Sequence, residues 1–148
     1  MDIYNNLKEI QKYCSEHNHK FNIEELARLT TKEKDILKYI EEYDKRVEEI
    51  VLGNMIVEPI AIGDVTAVLK VDDFDTAIHK KIYQAILNSY SESNKAIINS
   101  VKRELESMGE LEQIGGFEYL VDLVEIGATD RDIDKYIKII KNRDTSYP

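Results

Sequence analysis

Apolar residues recur at spacings of three and four along almost the whole chain, and this constrains the fold more than any other feature. Such spacing puts side chains on one face of a 3.6-residue helix, whereas a half-buried strand needs strict alternation. Turn-formers are scarce. Among 148 residues there are 6 Gly and 2 Pro, too few for a sandwich or barrel, which turns every eight to twelve residues or so. The expected fold class is all-α, a compact multi-helix domain of about six to eight helices.

The periodicity locates the elements. Ile3, Leu7, Ile10 and Cys14 line a first helix, with Tyr4 and Tyr13 at its margins and His17, Asn18 and His19 at its end. Asn22 and Glu25 form a capping-box pattern for a short second helix carrying Ile23, Leu26 and Leu29, and Thr30 with Glu33 repeats that pattern. Ile36, Leu37, Ile40, Tyr43, Val47, Ile50, Val51, Met55 and Ile56 make a long stripe, read as one helix or as two joined near Asp44. Pro59 ends it, because proline lacks an N–H and disfavours helix at the residue before it. A short helix over 60–69 follows. Asp72 or Asp73 is the expected N-cap of a helix from Phe74 to about Tyr90, whose inner face carries Ile78, Ile82, Tyr83 and Ile86. Asn99 is expected to cap a helix that Gly109 ends. Gly115 and Gly116 introduce a helix that Gly127 closes, and Thr129 or Asp130 caps the last, with Ile133, Tyr136, Ile137 and Ile140.

The chemistry-bearing residues point away from catalysis. No phosphate-binding loop with a Lys-Ser/Thr ending occurs, and Gly115-Gly116 is too short for a dinucleotide fingerprint. Cys14, His17 and His19 are too few for a structural metal site, which usually takes four ligands. A Cys14–His17 nucleophilic pair lacks an orienting third group. The paired carboxylates Glu24-Glu25, Glu41-Glu42, Glu48-Glu49 and Asp72-Asp73 read as solvated faces or helix N-terminal charges. No catalytic, cofactor-binding or metal residue is expected, and no cofactor.

Charge and cysteine content bound the partners. With 20 Lys and Arg against 29 Asp and Glu, the formal net charge is −9. Such a surface repels phosphate backbones, so strong direct nucleic-acid binding is not expected. A single cysteine precludes an internal disulfide, and no apolar run approaches the roughly 20 residues of a membrane span. The expected location is cytoplasmic, without a membrane partner.

From Glu48 onward the chain resembles a known family. Glu49-Ile50-Val51-Leu52-Gly53-Asn54-Met55-Ile56 resembles the opening helix of the N-terminal domain of the DnaB-type bacterial replicative DNA helicase. Asp73-Phe74, His79, Ile82-Tyr83 and Ala85-Ile86 resemble its next segment, and Val101 and Leu105 the helix after it. Gly109-x-Leu111, Gly115-Gly116, Tyr119-Leu120 and Leu123 resemble its glycine-bearing segment, followed by Tyr136, Ile139 and Ile140. Asp75 stands where the family often has an aromatic residue, and Asn99 where it often has Asp. The resemblance implies an N-terminal helical appendage over 1–45, a domain of this type over 46–144, and a flexible tail over 145–148.

It also implies a protein-interaction and oligomerisation module. In the helicase such domains pair as a collar and dock primase and loader proteins. ATP hydrolysis and unwinding belong to a RecA-like motor beyond the stretch seen here, so this chain is expected to be no enzyme by itself. Either an excised domain or a naturally short protein fits. Partner-interface candidates are Leu120, Leu123 and Val124 on one helix and Ile133, Ile137 and Ile140 on the next. Such an interface requires exposed apolar side chains. Two alternatives remain. One is a free-standing mimic, encoded by a mobile element, that competes for replication partners. The other is a helical DNA-binding regulator using Leu29–Lys34 as the start of a helix-turn-helix, which Glu41 and Glu42 disfavour.

Overall fold

The computed structural model describes residues 31–94 and 97–143. Six α-helices occur among them: α1 (Thr31–Val57), α2 (Pro59–Thr66), α3 (Ala77–Ser93), α4 (Ile98–Ser107), α5 (Gly116–Thr129) and α6 (Ile133–Asn142), with a 3-10 turn at Val71–Asp73. No strand occurs among the described residues, and the all-α expectation holds. The two helices read over Ile3–Cys14 and from Asn22, the cap at Thr30, the Cys14/His17/His19 group and the 145–148 tail lie outside the described residues. The chain divides into two units, Met1–Lys45 with Asn142–Pro148, and Arg46–Lys141.

In the first unit, the Arg143 guanidinium donates from Nη2 to the Asp44 carbonyl at 3.0 Å and lies 3.7 Å from the Asp44 carboxylate. Arg143 is buried there, only 8% exposed.

The second unit carries the core. The α1 stripe is a single helix, without the break considered near Asp44. Val47, Val51, Leu52 and Met55 on it are wholly buried. Pro59 opens α2 at the first helical position, where its missing N–H costs nothing, and Glu58 before it is extended. Leu69 then turns inward, and its carbonyl accepts the Tyr83 hydroxyl at 2.7 Å. Burial, and then the Asp73 charge, push the Tyr83 phenol up to about 12.

Two expected helix starts are corrected. Asp72 and Asp73 do not cap α3; they lie in the 3-10 turn, where the Asp73 carboxylate accepts the Lys70 N–H at 2.7 Å. Phe74 precedes α3 instead of opening it. Extended backbone there lets its buried ring sit 4.9 Å from that of Tyr83. Asn99 lies inside α4, whose N-cap is Ile97. At neither start does a side-chain cap from the expected residue set where the helix begins.

Helix ends follow the glycines more closely. Gly109 has φ +70°, its N–H bonds the Glu106 carbonyl, and the Glu110 N–H bonds the Leu105 carbonyl at 2.9 Å. This is the paired 5→2 and 6→1 closure of a Schellman motif. Helix α3 runs past Tyr90 to Ser93 and stops at Asn94 in the left-handed region, φ +57°, which Asn tolerates better than most residues.

Gly127 does not close α5, which continues to Thr129. It is a crossing point. A Cβ on Gly127 would sit 2.4 Å from the Gly53 carbonyl carbon, and one on Gly53 would sit 1.9 Å from the Leu123 carbonyl oxygen. The two glycines face each other, so α1 and α5 touch backbone to backbone. Gly53 permits this close approach, and its counterpart is Gly127. Asn54 reinforces the crossing by donating at 2.8 Å to the carbonyls of Ile50 and Asp130.

Candidate functional site

Beside that crossing lies a polar chain built from three helices, buried except at the half-buried Tyr119. Glu48 and Glu49 come from α1, His79 from the first turn of α3 and Tyr119 from the first turn of α5. Glu48 Oε1 is 2.7 Å from His79 Nδ1, and His79 Nε2 is 2.7 Å from the Tyr119 hydroxyl. That hydroxyl donates to Glu49 Oε2 at 2.7 Å. The His79 and Tyr119 rings are parallel within 4°. Glu48 and His79 have no exposed surface, and Glu49 is 7% exposed.

Glu48 also does what Asp72 and Asp73 were expected to do. Its Oε2 accepts the Asp75 N–H at 2.9 Å, and its Oε1 lies 3.4 Å from the Thr76 N–H. Thr76 is the N-cap of α3, and its side chain makes no capping bond. A carboxylate from another helix therefore receives amides at the α3 N-terminus, where the helix dipole favours negative charge. The reading of Glu48-Glu49 as a solvated face is corrected accordingly. Their burial follows from tertiary partners 27 to 70 residues away in sequence, which local pattern does not reveal.

Electrostatics keep this chain protonated at the phenol. Burial, the hydrogen bond to Glu49 and the neighbouring carboxylate charges hold the Tyr119 phenol far above its ordinary range, opposed only by Arg46. Arg46 Nε lies 3.8 Å from Glu49 Oε1 at the rim. A carboxylate–imidazole–phenol sequence can relay protons in an open cleft. Here the imidazole is sealed inside the domain, Tyr119 is half-buried, and the arrangement ties α1, α3 and α5 together. Among the described residues, no group of three His, Cys, Asp or Glu is arranged to hold a metal ion.

The six interface candidates fall into two sets. Leu120 and Leu123 have no exposed surface, and Ile137 and Ile140 are buried at 4% and 2% exposure. These four are core side chains of this domain and do not meet the exposure that an interface requires. Leu123 lies at the Gly53–Gly127 crossing, where its carbonyl oxygen faces Gly53. Val124 and Ile133 are half-buried. Among the described residues, the large apolar side chains that are exposed are Ile60 (77%), Ile97, Val68, Met108 and Phe117. Sequence reasoning missed Ile60 as a surface residue, although its place directly after Pro59 at the start of a two-turn helix was visible.

These features define a class: a small helical domain closed by a glycine-to-glycine helix crossing and a buried Glu–His–Tyr–Glu chain. The sequence matches the DnaB-like helicase N terminal domain over residues 40–142, and the chain belongs to that family. The replicative DNA helicase DnaB of Leifsonia xyli subsp. xyli is 33% identical over 101 residues, 68% of this chain and 22% of that protein. The replicative DNA helicase DnaC of Bacillus subtilis is 33% identical over 96 residues, 65% of this chain and 21% of that protein. The crystal structure of the N-terminal domain of DnaB helicase from Mycobacterium tuberculosis aligns with a TM-score of 0.63 at 33% identity, covering 67% of this chain and 69% of that one. The chain thus spans about a fifth of the length of the curated helicases it matches. No helix among the described residues is long and apolar enough to cross a membrane.

Proposed function

We propose that this chain is a protein-interaction and self-association module of the replicative helicase machinery, acting in the cytoplasm, and that it neither hydrolyses ATP nor unwinds DNA by itself. The observation that carries the reading is the family match over 40–142, which falls on the N-terminal domain in the solved relative. Its polar chemistry supports the same reading, since the buried Glu48–His79 pair and its bonds to Tyr119 and Glu49 hold the fold and keep the His79 imidazole away from solvent. The partners proposed are helicase subunits, including second copies of this chain, and primase or a helicase loader.

Of the six candidates, only Val124 and Ile133 remain surface-accessible in part, so contact passes through these or through the exposed Ile60 and Phe117. Light scattering coupled to size exclusion, over a range of protein concentrations and with added helicase, primase or loader, tests this. A mass near twice 17.2 kDa, or co-elution with one of those proteins, is expected, and Ile60→Asp or Val124→Asp should reduce it. A monomer at every concentration that co-elutes with none of them would refute the proposal. Salt-dependent binding to duplex DNA would favour the DNA-binding alternative instead.

A further inference from the structure

The buried chain contains more contacts than its residues have hydrogens to fill. Three gaps of 2.7 Å run from Glu48 to His79, from His79 to Tyr119 and from Tyr119 to Glu49. Each needs one hydrogen between its two electronegative atoms; otherwise lone pair faces lone pair. In their ordinary neutral-pH forms the four residues bring two, one on the imidazole and one on the phenol, because ionised carboxylates only accept. Any placement of two hydrogens leaves one gap empty. If the phenol serves Glu49 and the imidazole serves Glu48, then Nε2 and the phenol oxygen face each other bare. If the imidazole hydrogen sits on Nε2, its Nδ1 faces the Glu48 carboxylate bare. If the phenol serves Nε2 and the imidazole serves Glu48, the phenol oxygen and the Glu49 carboxylate face each other bare at 2.7 Å. Water cannot relieve the conflict at His79 and Glu48, which have no exposed surface.

We propose that the folded domain holds a third hydrogen in this chain, one proton more than the same four residues carry in the unfolded chain above the ordinary histidine range, so that the packing of α1, α3 and α5 weakens as pH rises. The charged and titratable surroundings favour it. Glu48 and Glu49 face the imidazole and phenol from α1, and Tyr119 faces them from α5. Arg46, a cation beside Glu49, has a side chain that is 57% exposed and is therefore screened by solvent. On the imidazole's own helix, Lys80 turns toward Asp72, 3.8 Å away. The Asp75 and Thr76 amides fix the Glu48 carboxylate in place, so it does not swing away to empty the first gap. Two carboxylates flank the row, and a proton shared along it offsets one of their charges. In a chain of net charge −9, the background potential acts in the same direction.

The sign follows from linkage. Where the folded state binds one proton more than the unfolded state, the unfolding constant rises about tenfold per pH unit. Unfolded histidine releases its proton near pH 6.5. The added stability is therefore complete below that pH and falls above it until the buried chain itself releases the proton.

Glu49→Gln isolates the effect. The glutamine amide supplies its own hydrogen to the Tyr119 oxygen, the phenol then serves Nε2, and the imidazole N–H serves Glu48. All three gaps are filled without an added proton. Urea unfolding of the 148-residue chain is followed by far-ultraviolet circular dichroism at pH steps from 6 to 9, for wild type and Glu49→Gln. The ratio of their unfolding constants is expected to change about tenfold per pH unit above pH 7, with wild type losing stability relative to the variant. Parallel profiles would overturn the proposal. If Glu49→Gln does not fold, Tyr119→Phe replaces it. With the phenol oxygen gone, the one remaining His79–Glu48 gap is filled by the imidazole hydrogen, and the same divergence from wild type is expected. A Tyr119→Phe profile parallel to wild type would equally overturn it.

Discussion

The Gly53–Gly127 crossing permits a quantitative test in which one chemical change has opposite signs at two places. A methyl group at Gly53 would lie 1.9 Å from the Leu123 carbonyl oxygen and 2.9 Å from the Gly127 nitrogen. Ordinary contact begins near 3.4 Å, so α1 and α5 must part by about 1.5 Å. Both obstacles are backbone, so no rotamer change relieves them. Overpacking of this kind costs about 1–3 kcal/mol, occasionally more. Parting the helices also loosens Leu120 and Leu123, which are now fully buried, and a gap of 0.5–1 Å already forfeits roughly a quarter to a half of each contact. Alanine recovers about 1 kcal/mol of helix propensity. The expected net loss for Gly53→Ala is about 2–4 kcal/mol, from the middle of the usual overpacking range to somewhat above it. Gly63 on α2 is the control, because a Cβ there meets nothing within 4 Å, and Gly63→Ala should stabilise by about 0.5–1 kcal/mol. Urea midpoints at unchanged slope read both variants. The Gly53→Ala/Gly127→Ala double variant should cost less than the sum of the singles, since one separation accommodates both methyl groups. A Gly53→Ala protein as stable as Gly63→Ala would refute the crossing.

Further outcomes follow from the buried polar groups. Glu48→Ala strips the α3 N-terminus and His79 of their acceptor together and is expected to cost about 3–5 kcal/mol, as breaking a buried pair does, measured by the same urea series. Tyr83→Phe should cost about 1 kcal/mol by losing the bond to the Leu69 carbonyl. Because the folded Tyr83 phenol is pushed up to about 12 while an unfolded one ionises near pH 10, its contribution is present below pH 10 and is lost as pH rises toward 12. The alkaline stability of Tyr83→Phe should therefore fall less steeply than that of wild type between those values. Tyr136→Phe removes a hydroxyl bonded to the Asp130 carboxylate and should cost about 1 kcal/mol; no change in midpoint would mean the bond adds nothing.

The 3.6-residue spacing of apolar residues, the scarcity of Gly and Pro, and the Pro59 stop determined an all-α chain, because each acts within a few residues of itself. The same holds for Gly109, whose left-handed turn closes α4 wherever the rest of the chain lies, and for the ordered motifs that resemble the helicase N-terminal domain. What the pattern left open was set at a distance. Gly127 looks like a helix end until Gly53 is placed opposite it. Glu48 and Glu49 look like two more solvated carboxylates on an acidic helix until His79, Tyr119 and the α3 amides surround them. Leu120, Leu123, Ile137 and Ile140 fit an interface or a core equally well by periodicity, since both need one apolar face, and only the neighbours that cover them decide between the two. Local sequence determined which segments become helices and where several of them stop. The tertiary structure decided which faces meet, and with that which charged residues are buried and which apolar ones remain for a partner.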